Sequence, residues 1–302
     1  MIRIFKVGFI FIMSLVIFSC NKSEDTVNAY VVPFAEQYPV DNAAIETFLK
    51  SHSITPVNNP GFSDDQDVTF TSVTAGDASS IWGSDPLNPK PSLLSIPVTS
   101  NGVDYKVYYI SLRQGTNENP TRVDSAFVSY KGRLLNETVF DQAENPVWFP
   151  LDNVIQGWKE ILPKFKTGDP GVINPLDGTV SYSNFGAGVM FLPSGLGYYN
   201  GGVGSIPSYS PLIFSFKLKG LNYVDHDRDH IDSRYEDANG NGIFTDDDTD
   251  GDGRPDYLDI DDDADGIPTK TEIRISNGVF YDFANIPLCT DGKKKHLSAT
   301  CH

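Results

Sequence analysis

The chain has 302 residues, 39% of them hydrophobic, with 19 Phe and 14 Tyr, which is enough apolar surface for a buried core. At about 150 residues per domain, two domains are the natural expectation, and 26 Gly with 20 Pro favour strands and loops over a helical bundle. A net charge of −17 makes nucleic acid a poor partner, because phosphate contacts need a footprint of Lys and Arg. The charge is also local: Asp225 to Glu272 holds 18 Asp/Glu against 4 Lys/Arg, a net of −14 that leaves −3 for everything else.

Residues 1–20 read as a secretory signal, with Arg3 and Lys6 ahead of the short apolar run Val7 to Phe18. A membrane span needs about 20 apolar residues, so this is a leader. Ile17-Phe18-Ser19-Cys20 resembles a bacterial lipobox, which implies cleavage before Cys20 and a membrane anchor through lipid on that residue. Asn21, by the same resemblance, argues against retention in the inner membrane. Ser23-Glu24-Asp25 faintly resembles the surface-export signals of Bacteroidetes lipoproteins. The expected location is therefore the cell envelope, as an outer-membrane lipoprotein facing the periplasm or the surface. Cys289 and Cys301 remain, and form either a disulfide or two free thiols.

Residues 21–36 read as a tether, and Asp41 to Ser51 as a helix capped by Asp41 with Ala44, Ile45, Phe48 and Leu49 on one face. Its expected role is packing on the neighbouring domain. Residues 53–102 offer one strand, Val68 to Val73, and no chemistry. Strand signals then crowd together: Tyr105 to Leu112, Val123 to Tyr130, Val189 to Leu192, and Pro211 to Gly220. In the last, Leu212, Phe214, Phe216 and Leu218 alternate with Ser215, Lys217 and Lys219. Asp152 to Leu162 is the helix between them, with Ile155, Trp158 and Leu162 on one face. Antiparallel strands wrapped on one short helix define an α+β fold. The expected domains are a signal (1–20), a tether and helical extension (21–102), a central module (103–222), an acidic repeat segment (223–273) and a tail (274–302).

Six motifs stand in order in the central module: Val128-Ser129-Tyr130-Lys131-Gly132, Val139-Phe140-Asp141, Val154-Ile155-Gln156-Gly157-Trp158, Leu192 to Tyr198, Ser205-Ile206-Pro207, and Leu212-Ile213-Phe214. Together, from about Val103 to Leu221, they resemble an FKBP-type peptidyl-prolyl isomerase. That resemblance implies an FKBP-like sheet and a pocket in which Trp158 lies under a proline ring. Tyr130, Phe140, Val154, Ile155 and Phe214 would be its walls, with Ile206 on a flap. The Ile155 N–H and the Tyr198 hydroxyl would hold substrate carbonyls, and Asp141 would lie beside the twisting amide. Implied substrates are X–Pro bonds of exported polypeptides, with no cofactor for the reaction. A non-catalytic proline-peptide-binding or adhesion lipoprotein would use the same pocket. Two departures stand out: Val147 occupies a position where many members place an aromatic wall, and Gly168 to Val189 is a long insertion that would overhang the pocket.

The acidic segment repeats every 11 to 13 residues as four D-x-[DN]-x-[DN] loops. The first has Asp225, Asp227, Asp229 and Glu236; the second Asp237, Asn239, Asn241 and Asp248. The third reuses Asp248, with Asp250, Asp252, Asp256 and Asp259; the fourth has Asp261, Asp263, Asp265 and Glu272. Calcium takes six to eight hard oxygens, and this spacing wraps them round one ion with a Gly at the bend. His230 stands at that Gly position in the first loop, which marks it as the weakest site. With no flanking helices evident, the segment resembles thrombospondin type-3 or calcium-stalk repeats. Calcium is the expected structural ion, and without it so many like charges should repel and open the segment.

Overall fold

The computed structural model describes residues 30–84, 89–176 and 178–301. The leader and Cys20 lie outside the described residues, among which no helix is long and apolar enough to cross a membrane. In chain order come α1 (Phe34–Ser51), β1 (His52–Pro56), β2 (Val68–Ser72), β3 (Leu93–Ser100), β4 (Val103–Arg113), β5 (Ser125–Leu134) and β6 (Val139–Pro150). There follow α2 (Gln156–Ile161), β7 (Asp169–Ile173), β8 (Val180–Ser183), β9 (Gly186–Leu192) and β10 (Leu212–Asn222). β3, β4, β9, β10, β5 and β6 pair antiparallel in that spatial order, the α+β architecture expected.

Both faces of this sheet are covered. Because side chains alternate along a strand, Leu212, Phe214, Phe216 and Leu218 of β10 face α2 and pack with Trp158, Ile161 and Leu162. Ile213, with Tyr108 and Ile110 of β4 and Phe191 of β9, faces the other way onto Ile45, Phe48 and Leu49 of α1. β9 is accordingly buried at every residue. Each fully buried Ile or Leu stabilises by about 1.5–3 kcal/mol, and Ile45 and Leu49 are completely buried. Residues 52–72, read as structureless but for one strand, form the β1–β2 hairpin that completes this second layer.

α1 starts seven residues earlier than its expected start at Asp41 and contains Pro39. A proline inside a helix forfeits a backbone hydrogen bond. Packing offsets that loss: Phe34 stacks on Tyr199 at 3.9 Å and Tyr38 meets Tyr105 edge-on at 4.8 Å. Asp41 is therefore no cap. It lies buried in mid-helix and bonds the loop after β9.

The insertion folds as the β7–β8 hairpin, and β9 beyond it belongs to the sheet. Tyr182 of β8 packs edge-on against Phe127, which stacks on Trp148. Phe127 alternates with Ala126 and Val128, which face α2, so the hairpin lies on the outer face and does not overhang the pocket. After β10 the chain winds through the acidic loops, α3 (Thr269–Glu272), and a small hairpin of β11 (Arg274–Ser276) and β12 (Val279–Phe280). Ile231, Ile273 and Ile286 form a core there. Cys289 and Cys301 are joined as a disulfide, with Cα atoms 5.8 Å apart.

Candidate functional site

The pocket is an aromatic box at one end of α2. Trp158 lies almost fully buried at its base, with Tyr130, Phe149 and Phe214 standing edge-on around it at centroid distances of 5.6, 5.4 and 5.2 Å. Edge-to-face arrays of this kind suit the ring quadrupole. The cavity, about 360 Å³, is lined by these four rings with Val154, Ile155, Tyr198, Asp141, Pro150 and Asn153. Gly157 lets α2 approach the sheet closely, because a Cβ there would come within 2.3 Å of the Leu192 side chain. Ile155 immediately precedes α2, where a helix leaves backbone N–H groups without intrahelical partners.

Seven of the nine residues expected here line the cavity: Tyr130, Asp141, Val154, Ile155, Trp158, Tyr198 and Phe214. Phe140 stands behind the wall, edge-on to Phe214 at 5.4 Å and lying over Gly132, where a Cβ would meet its ring at 2.6 Å. Ile206 is buried in the flap, bridged to Val203, and is not a lining residue. Phe149, Pro150 and Asn153 were missed. Val147 is exposed opposite Val128 in the ladder, and the aromatic wall comes two residues later from Phe149.

At the rim the Tyr130 hydroxyl donates to Asp141 Oδ2 at 2.5 Å. Burial pushes the Tyr130 hydroxyl's pKa up, and its hydrogen bond to Asp141 pushes it further. Burial, with the Asp141 charge, also raises Tyr198. Both hydroxyls thus remain protonated donors.

The N-terminal extension holds the loop that carries Tyr198. Asp41 Oδ2 accepts the Ser194 N–H at 2.7 Å and the Ser194 hydroxyl at 2.6 Å, and its Oδ1 accepts Gln37 Nε2 at 2.7 Å. Burial raises the Asp41 pKa against these bonds. Next to Tyr198, the Tyr199 hydroxyl donates to the Val32 carbonyl, and the Val32 N–H donates to Tyr209 Oη at 3.1 Å.

The acidic loops share one scaffold. In each, the first residue accepts the N–H of the sixth: Asp225 from His230 at 3.2 Å, Asp237 from Gly242 at 2.8 Å, Asp248 from Gly253 at 3.0 Å, and Asp261 from Gly266 at 3.1 Å. The fifth accepts the N–H of the seventh: Asp229 from Ile231 and Asn241 from Ile243 at 2.6 Å, Asp252 from Arg254 and Asp265 from Ile267 at 2.7 Å. The sixth residue has φ between +76° and +94°, and His230 at +82° adopts it too, stacked on Phe280 at 3.8 Å. The missing glycine therefore does not weaken the first loop's geometry.

Asp225, Asp227 and Asp229 bring oxygens within 4.8 Å of one another, as do Asp248, Asp250 and Asp252, and Asp261, Asp263 and Asp265. A fourth set, Asp227, Glu236 and Asp262, does the same, and the repeat pattern did not indicate Asp262. In the second loop the assignment changes. Asp248 turns to the third loop through Gly251 and Gly253. Asp247 instead accepts the Asn239 N–H at 3.0 Å, and Asp246 accepts both Asn side-chain amides. Asp256 takes the N–H and hydroxyl of Thr249, and Asp259 accepts the Asp261 N–H at 3.0 Å.

Burial first, and neighbouring carboxylates second, push Glu236 up to about 11, Asp262 to about 9 and Glu272 to about 8. Asp227 is pushed up to about 8 by burial and Asp229, and Asp229 to about 7 by burial with Asp225 adding to it. Both oxygens of Glu236 and of Glu272 are buried without a hydrogen-bond partner, and Asp262 has only the Thr269 hydroxyl beside it. Buried charge without a partner is costly, and this all-oxygen donor set fits a hard divalent cation.

Residues 116–219 match the family model of FKBP-type peptidyl-prolyl cis-trans isomerase, and residues 226–296 match the model described as BamM C-terminal. The matched stretch runs from before β5 to β10 and so includes every residue that lines the aromatic box. Among curated relatives, a probable FKBP-type isomerase FkpA of Neisseria meningitidis is 33% identical over 127 residues, 41% of this chain and 39% of the relative. The peptidyl-prolyl isomerase Mip of Coxiella burnetii is 42% identical over 76 residues, 24% of this chain and 31% of the relative. A 22 kDa FKBP-type isomerase of Escherichia coli is 31% identical over 124 residues, 40% and 50% of the two chains. The chain therefore spans half or less of the length of these relatives. Crystal structures of a Pseudomonas syringae peptidyl-prolyl isomerase and of Escherichia coli FkpA are each 29% identical. They have TM-scores of 0.32 and 0.33, covering 38% and 42% of this chain and 75% and 51% of theirs.

Proposed function

We propose that this chain is a peptidyl-prolyl cis-trans isomerase acting on X–Pro bonds of exported polypeptides in the cell envelope. The observation that carries the reading is the box of Tyr130, Phe149, Trp158 and Phe214 with Asp141 and Tyr198 at its rim. Rotation about X–Pro breaks no covalent bond but must give up amide resonance, against a barrier of about 18–20 kcal/mol. A thousandfold acceleration needs only about 4 kcal/mol. The rings take the proline out of water, while the Tyr198 hydroxyl and the Ile155 N–H hold carbonyls on either side. A site that binds the twisted amide better than the planar one lowers the barrier. Neither a nucleophile nor a cofactor is required. The test is cis–trans exchange of a proline peptide: the wild type accelerates it, Trp158→Ala and Asp141→Ala do so less, and equal rates in all three would sink the reading.

We further infer that the acidic loops hold calcium as structural ions, supported by their common scaffold and by the unpartnered buried carboxylates. Calorimetric titration of calcium into the full chain tests this, and absence of saturable heat would end it. Membrane attachment rests on the leader, as lipid on Cys20 at the outer membrane. Fatty-acid labelling that persists in Cys20→Ser would refute the anchor.

A further inference from the structure

Deepening the reading of the loops as calcium sites, and resting on it, we propose that the first and fourth loops share one divalent-cation site closed by Asp262. Asp262 stands second in its loop, a position the repeat leaves to any residue. Its carboxylate nevertheless turns inward, 2% exposed, and places an oxygen within 4.8 Å of oxygens on Asp227 and Glu236. Oxygens bound to one calcium at about 2.3–2.6 Å lie at most about 5 Å apart. Three carboxylates from two loops therefore fall within a single coordination shell.

Among the described residues, Glu236 and Asp262 form no ion pair. Glu236 is 4% exposed and neither of its oxygens has a hydrogen-bond partner, while Asp262 meets only the Thr269 hydroxyl. Lys270, on α3, donates to the Arg228 carbonyl at 3.2 Å. Arg234 pairs with Asp232 at 3.3 Å and lies over the Tyr223 ring. A hard cation supplies the missing charge and the missing partners together.

The consequence is topological. Asp227 and Asp262 are separated by two intervening loops, so a cation between them folds the segment back on itself. A tandem stalk, in which each loop closes its own ion, would leave the first and fourth loops apart. The Lys270–Arg228 bond joins the same two loops and marks where the segment would hinge once the ion leaves.

Calcium titration of the full chain, Asp262→Asn and Asp250→Asn decides the matter, read by calorimetry and by thermal unfolding in calcium and in chelator. Asp262→Asn should lose one ion from the stoichiometry, or weaken that step about tenfold or more, while Asp250→Asn affects only the third loop. In chelator Asp262→Asn should melt no lower than the wild type, because an uncharged amide replaces a buried carboxyl crowded by two others. In calcium it should gain less. An Asp262→Asn variant that binds calcium like the wild type overturns the shared site and leaves the calcium reading standing. A variant that melts lower than the wild type in chelator makes Asp262 a structural residue and overturns it too. No calcium uptake by the wild type removes both. Glu236→Gln, from the other side of the cage, should show the same crossover.

Discussion

The aromatic box and the cluster of Asp227, Glu236 and Asp262 both draw side chains out of water, but one gathers rings and the other carboxylates. Around Trp158 rings and aliphatic side chains pack together, with Asn153 and Asp141 as the polar lining and Tyr130 donating to Asp141 at the rim. Burying such groups is favourable in itself. Around Asp227 the neighbours are Glu236 and Asp262, whose burial as carboxylates costs free energy. The first region is preorganised for a ligand that comes and goes. The second, on the calcium reading proposed above, depends on a ligand for its stability.

Removing the cation should therefore have the largest effect. A site filled at a hundred times its dissociation constant adds about 2.7 kcal/mol to stability, so chelation should lower Tm markedly and expose residues 225–272 to protease. The pH dependence should also invert. Glu236, Asp262, Asp227 and Glu272 have pKa values raised to about 11, 9, 8 and 8 in the ion-free fold. The unfolded chain releases those protons near pH 4. Their contribution is present below that and lost as pH climbs through 8 to 11. In chelator the Tm should fall from pH 5 to pH 9. In calcium, which competes with protons, it should not. A chelator profile that rises over that range would contradict the burial of these carboxylates.

Second in size is Trp158→Ala. Cavity formation costs about 3–5 kcal/mol, and the loss of the pocket base should reduce isomerase kcat/KM by roughly 10- to 100-fold, equivalent to about 1.4–2.7 kcal/mol. Calcium affinity should be unchanged. A variant that folds, binds calcium and isomerises like the wild type would separate Trp158 from the chemistry.

Asp41→Asn should act more mildly. Asn keeps the shape but loses the charge-assisted bonds to Ser194, worth about 1.5–3 kcal/mol. Loosening the loop that carries Tyr198 should raise KM and reduce kcat/KM a few-fold. Asp41→Ala should do so more strongly. Unchanged kinetics in both would confine the N-terminal helix to a covering role.

What could be read in the sequence follows the same division. The box was legible because its rings come in short motifs and because β10 alternates strictly, placing Phe214 and Phe216 on one face. Phe149 was not, since the bulge between Val128 and Tyr130 shifts the register of β6 and moves the wall two residues on. Asp41 looked like a cap because Asp favours that position ahead of an apolar face, and contacts remote in sequence, with Tyr105 and Tyr199, carry α1 back past Pro39. The loops were legible as a repeat, since each closes on itself through local bonds. Asp262 was not, because two whole loops separate it in sequence from its partners.

The smallest expected effect tests whether the two regions communicate. Glu160, on the face of α2 away from the box, pairs with Arg122 Nη2 at 2.5 Å, and Arg122 Nη1 donates to the Gly242 carbonyl of the second loop at 2.9 Å. Beside it Val123, Phe244 and Tyr257 pack together, so the second loop rests on the back of the helix that carries Trp158. Opening the loops should loosen α2 slightly and lower isomerase activity by no more than about threefold, which is roughly 0.7 kcal/mol. Arg122→Ala cuts the bond to Gly242 and should abolish that calcium sensitivity while leaving activity in calcium within about twofold of wild type. If chelation leaves wild-type activity untouched, the contact is packing alone. If Arg122→Ala remains as calcium-sensitive as the wild type, the coupling runs through the apolar cluster, and Phe244→Ala becomes the variant that should break it.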